Sequence, residues 1–346
     1  MIAPAPQPLN QQAQHSSARL AAPVPLVVVW RVLDHCNLEC PFCAYDSRLV
    51  FPRRVADTQT VEHMIDLLGA WSVATGRPVL LSWLGGEPTL WKPLEPLSRR
   101  ARSRGLALSL TTNGTTLGSP TIRRLLFELF TEITVSIDGF ADVHDEMRGW
   151  AGAFEKLKRN VSRLAAEKRA SGSHMTLRSN TVLMRRNIDR FADLCVELAH
   201  WGVEEMTFNQ LGGRDRPEFY AANRLTLPNV MELRGLLPTL RQRLAPFGAQ
   251  VRGGTVYIDR IAETAEDVAL PISTCRVADG FLFIDEAGVV APCNFVGRHF
   301  GATVEDLRTL EALDSIAERL NSHQRCAPSP ACANCMSTQQ FAKFDA

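Results

Sequence analysis

A chain of 346 residues, 45% hydrophobic and 22% charged with a formal net charge of +1, is long enough for one large domain and a smaller one, and its balanced charge gives no electrostatic reason to bind nucleic acid or an anionic membrane surface. No apolar run approaches the roughly 20 residues of a membrane span, and the start, MIAPAPQPLNQQAQHSSARLAAP, lacks the basic head and long apolar stretch of a secretory signal. The nine Cys are therefore expected in a reducing cytoplasm, where metal or redox use is favoured over disulfides.

Residues 1–23 are rich in Pro, Ala and Gln and are expected to form a disordered tail. From residue 24 onward, β-rich runs alternate with amphipathic stretches. The strand-like runs are Val24–Leu33, Pro78–Trp83, Leu106–Thr112, Glu132–Ile137, His174–Met184 and Val203–Asn209. Helix-like stretches lie between them at Thr60–Ala74, Pro93–Arg104, Pro120–Phe130, Ala153–Arg169 and Ile188–His200, with apolar residues recurring at three and four as in Leu125, Leu126, Leu129 and Phe130. This alternation implies parallel strands with right-handed crossovers, and six such units make an open α/β barrel, a partial (β/α)6 architecture over residues 24–222. A bridging helical segment, 223–270, with its helix at Leu225–Phe247, and a small Cys-rich hairpin-and-helix domain, 271–346, are expected to follow.

In barrels of this kind chemistry gathers at the C-terminal ends of the strands. The first run here is followed by Cys36, Cys40 and Cys43, the second by Gly85-Gly86-Glu87-Pro88 and the third by Thr112-Asn113-Gly114. The fourth ends in Ser136-Ile137-Asp138-Gly139, the fifth passes Asn180, and the sixth ends near Asn209-Gln210. Iron–sulfur clusters are normally held by four thiolates, so three on one short loop can hold three irons of a cubane and leave the fourth iron open. A zinc knuckle or three Cys used for packing remain alternatives; zinc would want a further ligand, and His35, directly before Cys36, is badly placed to join the same tetrahedron.

The Cys return beyond residue 270. Cys275 and Cys293 flank a hairpin with strands at Phe281–Ile284 and Val289–Val290 around Asp285-Glu286-Ala287-Gly288, and Cys332 and Cys335 form a compact pair. These four thiolates suffice for one fully ligated cluster, or for a structural zinc ion. Cys326 is left as a spare or alternative ligand, and Cys195, inside FADLCVELA, is expected in the core.

The triplet in DHCNLECPFC, followed by GGEP after the second strand, resembles the two leading motifs of the radical S-adenosylmethionine (radical SAM) superfamily, and the likeness extends over Val24–Gln210. By that resemblance Cys36, Cys40 and Cys43 hold a [4Fe–4S] cluster whose open iron is chelated by the amino and carboxylate groups of S-adenosylmethionine. Gly85, Gly86, Glu87 and Pro88 would meet the methionine ammonium, and Asn113 would join the cofactor-facing set. Ser136, Asp138 and Asn180 would meet the carboxylate and ribose hydroxyls, and Tyr45 the adenine. For Ser136 and Asp138 a polar strand end capping a turn is the alternative, and for Tyr45 a packed loop residue. The segment Ile137–Val161 resembles one carried by peptide-maturing members, with Arg148-Gly149 as the turn feeding a helix and Arg148 near cofactor or substrate.

The C-terminal Cys resemble a SPASM or twitch extension. With five Cys there instead of the roughly eight that two cubanes require, one auxiliary [4Fe–4S] cluster on Cys275, Cys293, Cys332 and Cys335 is implied. The implied enzyme is an oxidoreductase that cleaves S-adenosylmethionine to a 5′-deoxyadenosyl radical, abstracts a substrate hydrogen atom and oxidatively modifies a peptide. A twitch-type dehydrogenase of a sugar or aminocyclitol is the alternative, and a non-catalytic electron carrier a remote one. A flavodoxin- or ferredoxin-type donor is the implied partner. Since only about two dozen residues precede the barrel, so is a separate leader-peptide-binding protein. The stretch Leu211–Tyr220, with Arg214, Arg216, Glu218 and Tyr220, is either a specificity loop or a solvated linker.

Overall fold

The computed structural model describes residues 24–212, 216–272, 275–341, 343 and 344; the expected tail and Arg214 lie outside them. Six parallel strands, β1 (Leu26–Arg31), β2 (Val79–Leu84), β3 (Ala107–Thr112), β4 (Glu132–Ser136), β5 (Thr176–Leu183) and β6 (Glu205–Gln210), pair in sequence order. Helices α1 (Thr58–Thr75), α2 (Leu94–Ser103), α3 (Pro120–Leu129), α4 (Ala141–Arg148), α5 (Ala153–Ala170) and α6 (Phe191–His200) connect them. Local chemistry sets the helix ends. The Asp57 carboxylate accepts from the Thr60 N–H at the start of α1, Gly76 closes it with φ 67°, and Ser119 caps α3 with Pro120 in its first turn. The helix expected from Ile188 begins at Phe191, after a 3-10 turn over Ile188–Arg190.

Each strand turns alternate residues two ways, as the period of two requires. In β1, Leu26, Val28 and Trp30 are buried in the core, while Val27 and Val29 face the lumen. Most residues of the lumen wall are polar: Ser82, Ser109, Thr111, Thr134, Asn180, Thr207 and Asn209, among others, face a cavity of about 490 Å³ beside apolar Val27, Val29, Leu80 and Leu84. A barrel interior is ordinarily filled by bulky branched side chains, so a hydroxyl- and amide-lined cavity is a place for a ligand.

Beyond β6 come α7 (Pro217–Asn223), α8 (Leu227–Leu244), the short strand β7 (Gln250–Val251) and α9 (Thr255–Ala265). The C-terminal hairpin is β8 (Phe281–Ile284) with β9 (Val289–Ala291), followed by β10 (Ala302–Thr303) and α10 (Leu310–Cys326). The hairpin extends the barrel sheet: β8 runs parallel to β1 with Val27 opposite Phe281, giving the order β10-β9-β8-β1-β2-β3-β4-β5-β6-β7. Helix α10 is tied to α1 by the Trp71 indole N–H, which donates to Asp314 at 3.2 Å. Among the described residues no helix is long and apolar enough to cross a membrane.

Candidate active site

The loop after β1 carries the Cys triplet, and its shape is held by one arginine. The Arg53 guanidinium donates to the carbonyls of Asp34 (2.7 Å), Asp46 (2.7 Å) and Leu49 (3.0 Å), closing the loop around its own cation. Asp46 accepts from both the backbone and the side chain of Arg48, which holds its carboxyl down at about 2, and Arg48 also donates to the Glu39 carbonyl. A turn from the Cys43 N–H to the Cys40 carbonyl (3.0 Å) sets the second and third Cys on one bend.

Each of the three sulfurs has an N–H aimed at it. Asn113 Nδ2 lies 3.8 Å from Cys36 Sγ, Arg148 Nη1 3.9 Å from Cys40 Sγ, and the Tyr45 backbone N–H 3.3 Å from Cys43 Sγ. Burial pushes the Cys36 thiol up, and the Cys40 thiol to about 12, against the pull of Arg148. Thiols so placed ionise only when a cation replaces the lost water, and N–H donors to the sulfurs are what ligated thiolates accept. The donor set therefore fits an iron–sulfur cluster.

The GGEP turn is pressed against this loop. Gly86 N–H donates to the Leu33 carbonyl (2.8 Å) and Glu87 N–H to the His35 carbonyl (2.9 Å). A Cβ on Gly86 would sit 2.1 Å from the His35 carbonyl oxygen, so glycine here serves the contact between two loops. Glu87 is fully buried and accepts from the Thr89 N–H and hydroxyl, the Thr112 hydroxyl and the Asn113 N–H (2.7 Å). Burial pushes its carboxyl up while those donors pull it down. Glu87 thus fixes Asn113, whose side chain in turn reaches Cys36.

Arg148 ends α4, and Gly149 (φ 61°) follows it where a Cβ would strike Glu39 at 2.9 Å. The Arg148 guanidinium pairs with Asp138 at 2.7 Å and lies over the Phe42 ring. Asp138 is 0% exposed: one oxygen accepts from the Val182 N–H (2.9 Å) and the other takes Arg148. Asp138 acts on the site through Arg148 and lies beneath it instead of facing open space. Its backbone N–H donates to His144 Nδ1 (3.1 Å), leaving the imidazole proton on Nε2; burial, with Arg148 adding to it, pulls His144 down to about 3.

Ser136 is half-buried and pairs in register with Asn180, which lines the lumen. Tyr45, with Arg31 over its ring at 5.2 Å, borders an open recess shared with Asp34, Phe51, Arg54 and Glu286. Pro88 opens the 3-10 turn after the glycines and is buried.

The second group of thiols converges as well. Cys275, Cys293, Cys332 and Cys335 line one cavity with Pro292, Val296, Phe300 and Leu320. Burial pushes Cys293 to about 11 and the other three upward, with neighbouring thiols adding to the rise at Cys275, Cys293 and Cys335. Arg260 of α9 fixes the tail pair by donating to the Cys335 carbonyl (2.8 Å) and to Asn334 Oδ1 (2.6 Å). Cys326, exposed at the end of α10, does not line this cavity, and Cys195 is fully buried in the core. Among the described residues no three His, Cys, Asp or Glu side chains are drawn in tightly enough for a lone metal ion.

The profile of the radical SAM superfamily matches residues 30–192, the barrel that holds the triplet and GGEP. The chain carries a radical SAM domain. Similar proteins include the Fe-coproporphyrin III synthase of Methanosarcina barkeri, 31% identical over 49% of this chain and 41% of that protein. The AdoMet-dependent heme synthase of Oleidesulfovibrio alaskensis is 25% identical over 83% of this chain and 74% of its own length. The PqqA peptide cyclase of Xanthomonas euvesicatoria is 28% identical over 86% and 73%. This chain therefore spans under half of the first of these relatives and about three quarters of the other two. Among solved structures, SuiB of Streptococcus suis bound to S-adenosylmethionine superposes with a TM-score of 0.61 at 16% identity, covering 90% of this chain and 72% of that one. The partial-barrel fold expected from the strand–helix alternation is the fold observed. For a radical SAM domain the informative additions are Asn113, Arg148 and Tyr45 as the donors to the three sulfurs. Arg53 was invisible in the sequence, because a loop arginine reads as solvated until its carbonyl partners are known.

Proposed function

We propose that this radical SAM chain is an oxidoreductase that modifies a peptide, using an electron donor of the flavodoxin or ferredoxin type and a separate protein to bind the peptide's leader, in the cytoplasm. The observation that carries the radical chemistry is the loop of three thiols, each under one N–H donor, beyond the C-terminal end of β1, a strand that walls the lumen. A [4Fe–4S] cluster held there by Cys36, Cys40 and Cys43 would supply the electron for reductive cleavage of S-adenosylmethionine to methionine and a 5′-deoxyadenosyl radical that would take a hydrogen atom from the substrate. Arg148, Asn113 and the Tyr45 amide would hold the ligating sulfurs, and the turn Gly85–Pro88 would hold the methionine end against the loop. Ser136 would meet the nucleoside, and Asn180 with the lumen hydroxyls would orient the substrate.

An auxiliary [4Fe–4S] cluster on Cys275, Cys293, Cys332 and Cys335 would take the second electron of the oxidation, the substrate losing a proton with it. All four thiols face one closed cavity, which suits electron transfer better than substrate binding. The peptide is favoured by the likeness to the PqqA peptide cyclase along nearly the whole chain. A tetrapyrrole substrate is the second reading, favoured by the likeness to an AdoMet-dependent heme synthase over a similar length.

The test is anaerobic reconstitution of wild type beside the Cys36→Ala/Cys40→Ala/Cys43→Ala variant, with iron, sulfide and 5′-deoxyadenosine measured. About eight irons in wild type and about four in the variant, with deoxyadenosine from wild type alone, are expected. No cluster in wild type overturns the reading. About four irons plus tightly held zinc would make the C-terminal group structural and remove the oxidation step.

A further inference from the structure

Among the described residues five charged side chains face the lumen: Glu132, Arg178, Glu205, Arg252 and Lys343. Four of them neutralise one another. Arg178 pairs with Glu132 at 3.1 Å and with Glu205 at 2.7 Å, and Arg252 pairs with Glu205 at 2.5 Å. Three cations against two carboxylates leave one positive charge, and the unmatched cation is Lys343.

Lys343 arrives from the segment that follows the Cys332–Cys335 pair. Met336 sits against Gln210, Arg260 and Thr264, Thr338 and Gln339 border the lumen, and Lys343 Nζ reaches Asn180 Oδ1 at 2.7 Å. The side chain is only 7% exposed, and among the described residues no carboxylate pairs with it. Its other neighbour is the Phe344 ring, 5.5 Å from Nζ. Among the described residues the buried ammonium has an amide oxygen and a ring face beside it and the Arg178 cation nearby, which is costly, and an anion entering beside it would relieve that cost.

The geometry supplies a second donor. Asn180 Oδ1 already accepts from Lys343 Nζ and from the Thr207 hydroxyl (3.1 Å), so the Nδ2 end of the same amide, with no acceptor among the described residues, is left for another group. An ammonium and an amide N–H₂ set side by side match the two oxygens of a carboxylate.

We propose that Lys343, with Asn180, anchors a carboxylate of the substrate inside the lumen. This rests on the lumen being the substrate chamber of the radical reaction. A carboxylate is common to an acidic residue of a peptide and to the propionate of a porphyrin, so the anchor alone does not choose between them.

The experiment measures binding by the reconstituted enzyme, independently of turnover. One arm uses coproporphyrin III and its tetramethyl ester, read by tryptophan quenching. The other uses a random decapeptide library and the same library methyl-esterified, read by mass spectrometry of the retained fraction. In one arm, the acid form is expected to bind wild type and Lys343→Arg at least tenfold more tightly than the ester, and Lys343→Met to lose that preference. The arm in which it occurs identifies the carboxylate's source. An acid preference that survives in Lys343→Met, or no preference in wild type, overturns the proposal. So does a Lys343→Met variant whose affinity falls for S-adenosylmethionine alone, because the amine would then hold that carboxylate.

A wild-type measurement needs no variant. The other charged groups facing Lys343 across the lumen are Glu132, Arg178, Glu205 and Arg252, and burial pulls the Lys343 ammonium down, so the acid preference should fall between pH 6 and 9 as Lys343 loses its proton. A flat profile also overturns the proposal. Deoxyadenosine formation that depends on the Cys triplet would stand in any of these cases, so failure of the anchor is distinguishable from failure of the enzyme reading.

Discussion

At Gly86 the sequence pattern and the physical reason part company. By resemblance the GGEP turn meets the methionine ammonium, yet the atom nearest a Cβ at Gly86 is the His35 carbonyl oxygen, at 2.1 Å. That oxygen is backbone and accepts from Glu87, so it has nowhere to move. Gly86→Ala should therefore cost about 1–3 kcal/mol and displace the Cys loop. Expected are a melting temperature several degrees lower and reconstituted iron reduced from about eight to about four. Unchanged iron and melting would mean the two loops are not in contact. Arg148 and Asp138 form the other decisive pair, a salt bridge with both partners buried. Removing one leaves the other charged in a dry place, so Arg148→Met alone should lose about 3–5 kcal/mol. Adding Asp138→Asn should return a large part of that in denaturant unfolding. If the two losses simply add, the ion pair is not what holds α4 to the Cys loop.

Among the elements, the six barrel strands were legible because each has β-rich residues bounded by a turn signal and paired with a neighbour nearby in sequence. Helix α4 was not legible, only Arg148-Gly149 at its end being read as a turn, since ADVHDEMR is short and polar and its buried side chains, Val143, His144, Met147 and Arg148, include two polar types. The pairing of β8 with β1 was not legible at all: Val27 and Phe281 are 254 positions apart, and nothing local in FLFI says which edge it will join. The four C-terminal thiols were legible as a set, but Arg260, which fixes two of them, was not, because its acceptors are a carbonyl and an amide on a distant turn. Arg260→Met should strand those acceptors and loosen the Cys332–Cys335 turn. Reconstituted iron is expected to fall from about eight toward four, with the triplet's share retained. Cys326→Ser, in contrast, alters an exposed residue outside the cavity and should leave iron at the wild-type level. A drop there would bring Cys326 into the ligand set.

The whole molecule is a barrel whose lumen is shared by the tail, through Thr338, Gln339, Lys343 and Phe344. That arrangement has a consequence for stability that can be read without substrate. Burial, with Arg178 adding to it, pulls the Lys343 ammonium down to about 7, whereas an unfolded lysine titrates near 10.4. Between those values the unfolded chain holds a proton that the folded chain has released, so stability must rise with pH across the window and fall as pH drops toward 7. From pH 7 to 8.5 the gain should be about 1–2 kcal/mol in urea unfolding. That range lies above the titration of His144, whose ring is held down at about 3, and below that of the buried thiols Cys40 and Cys293, held up at about 12 and 11. Lys343→Met should remove the slope and raise stability most at pH 7, where the buried charge costs most. A wild-type profile that is flat from pH 7 to 8.5, or a slope that persists in Lys343→Met, would place the amine in water and the tail outside the barrel.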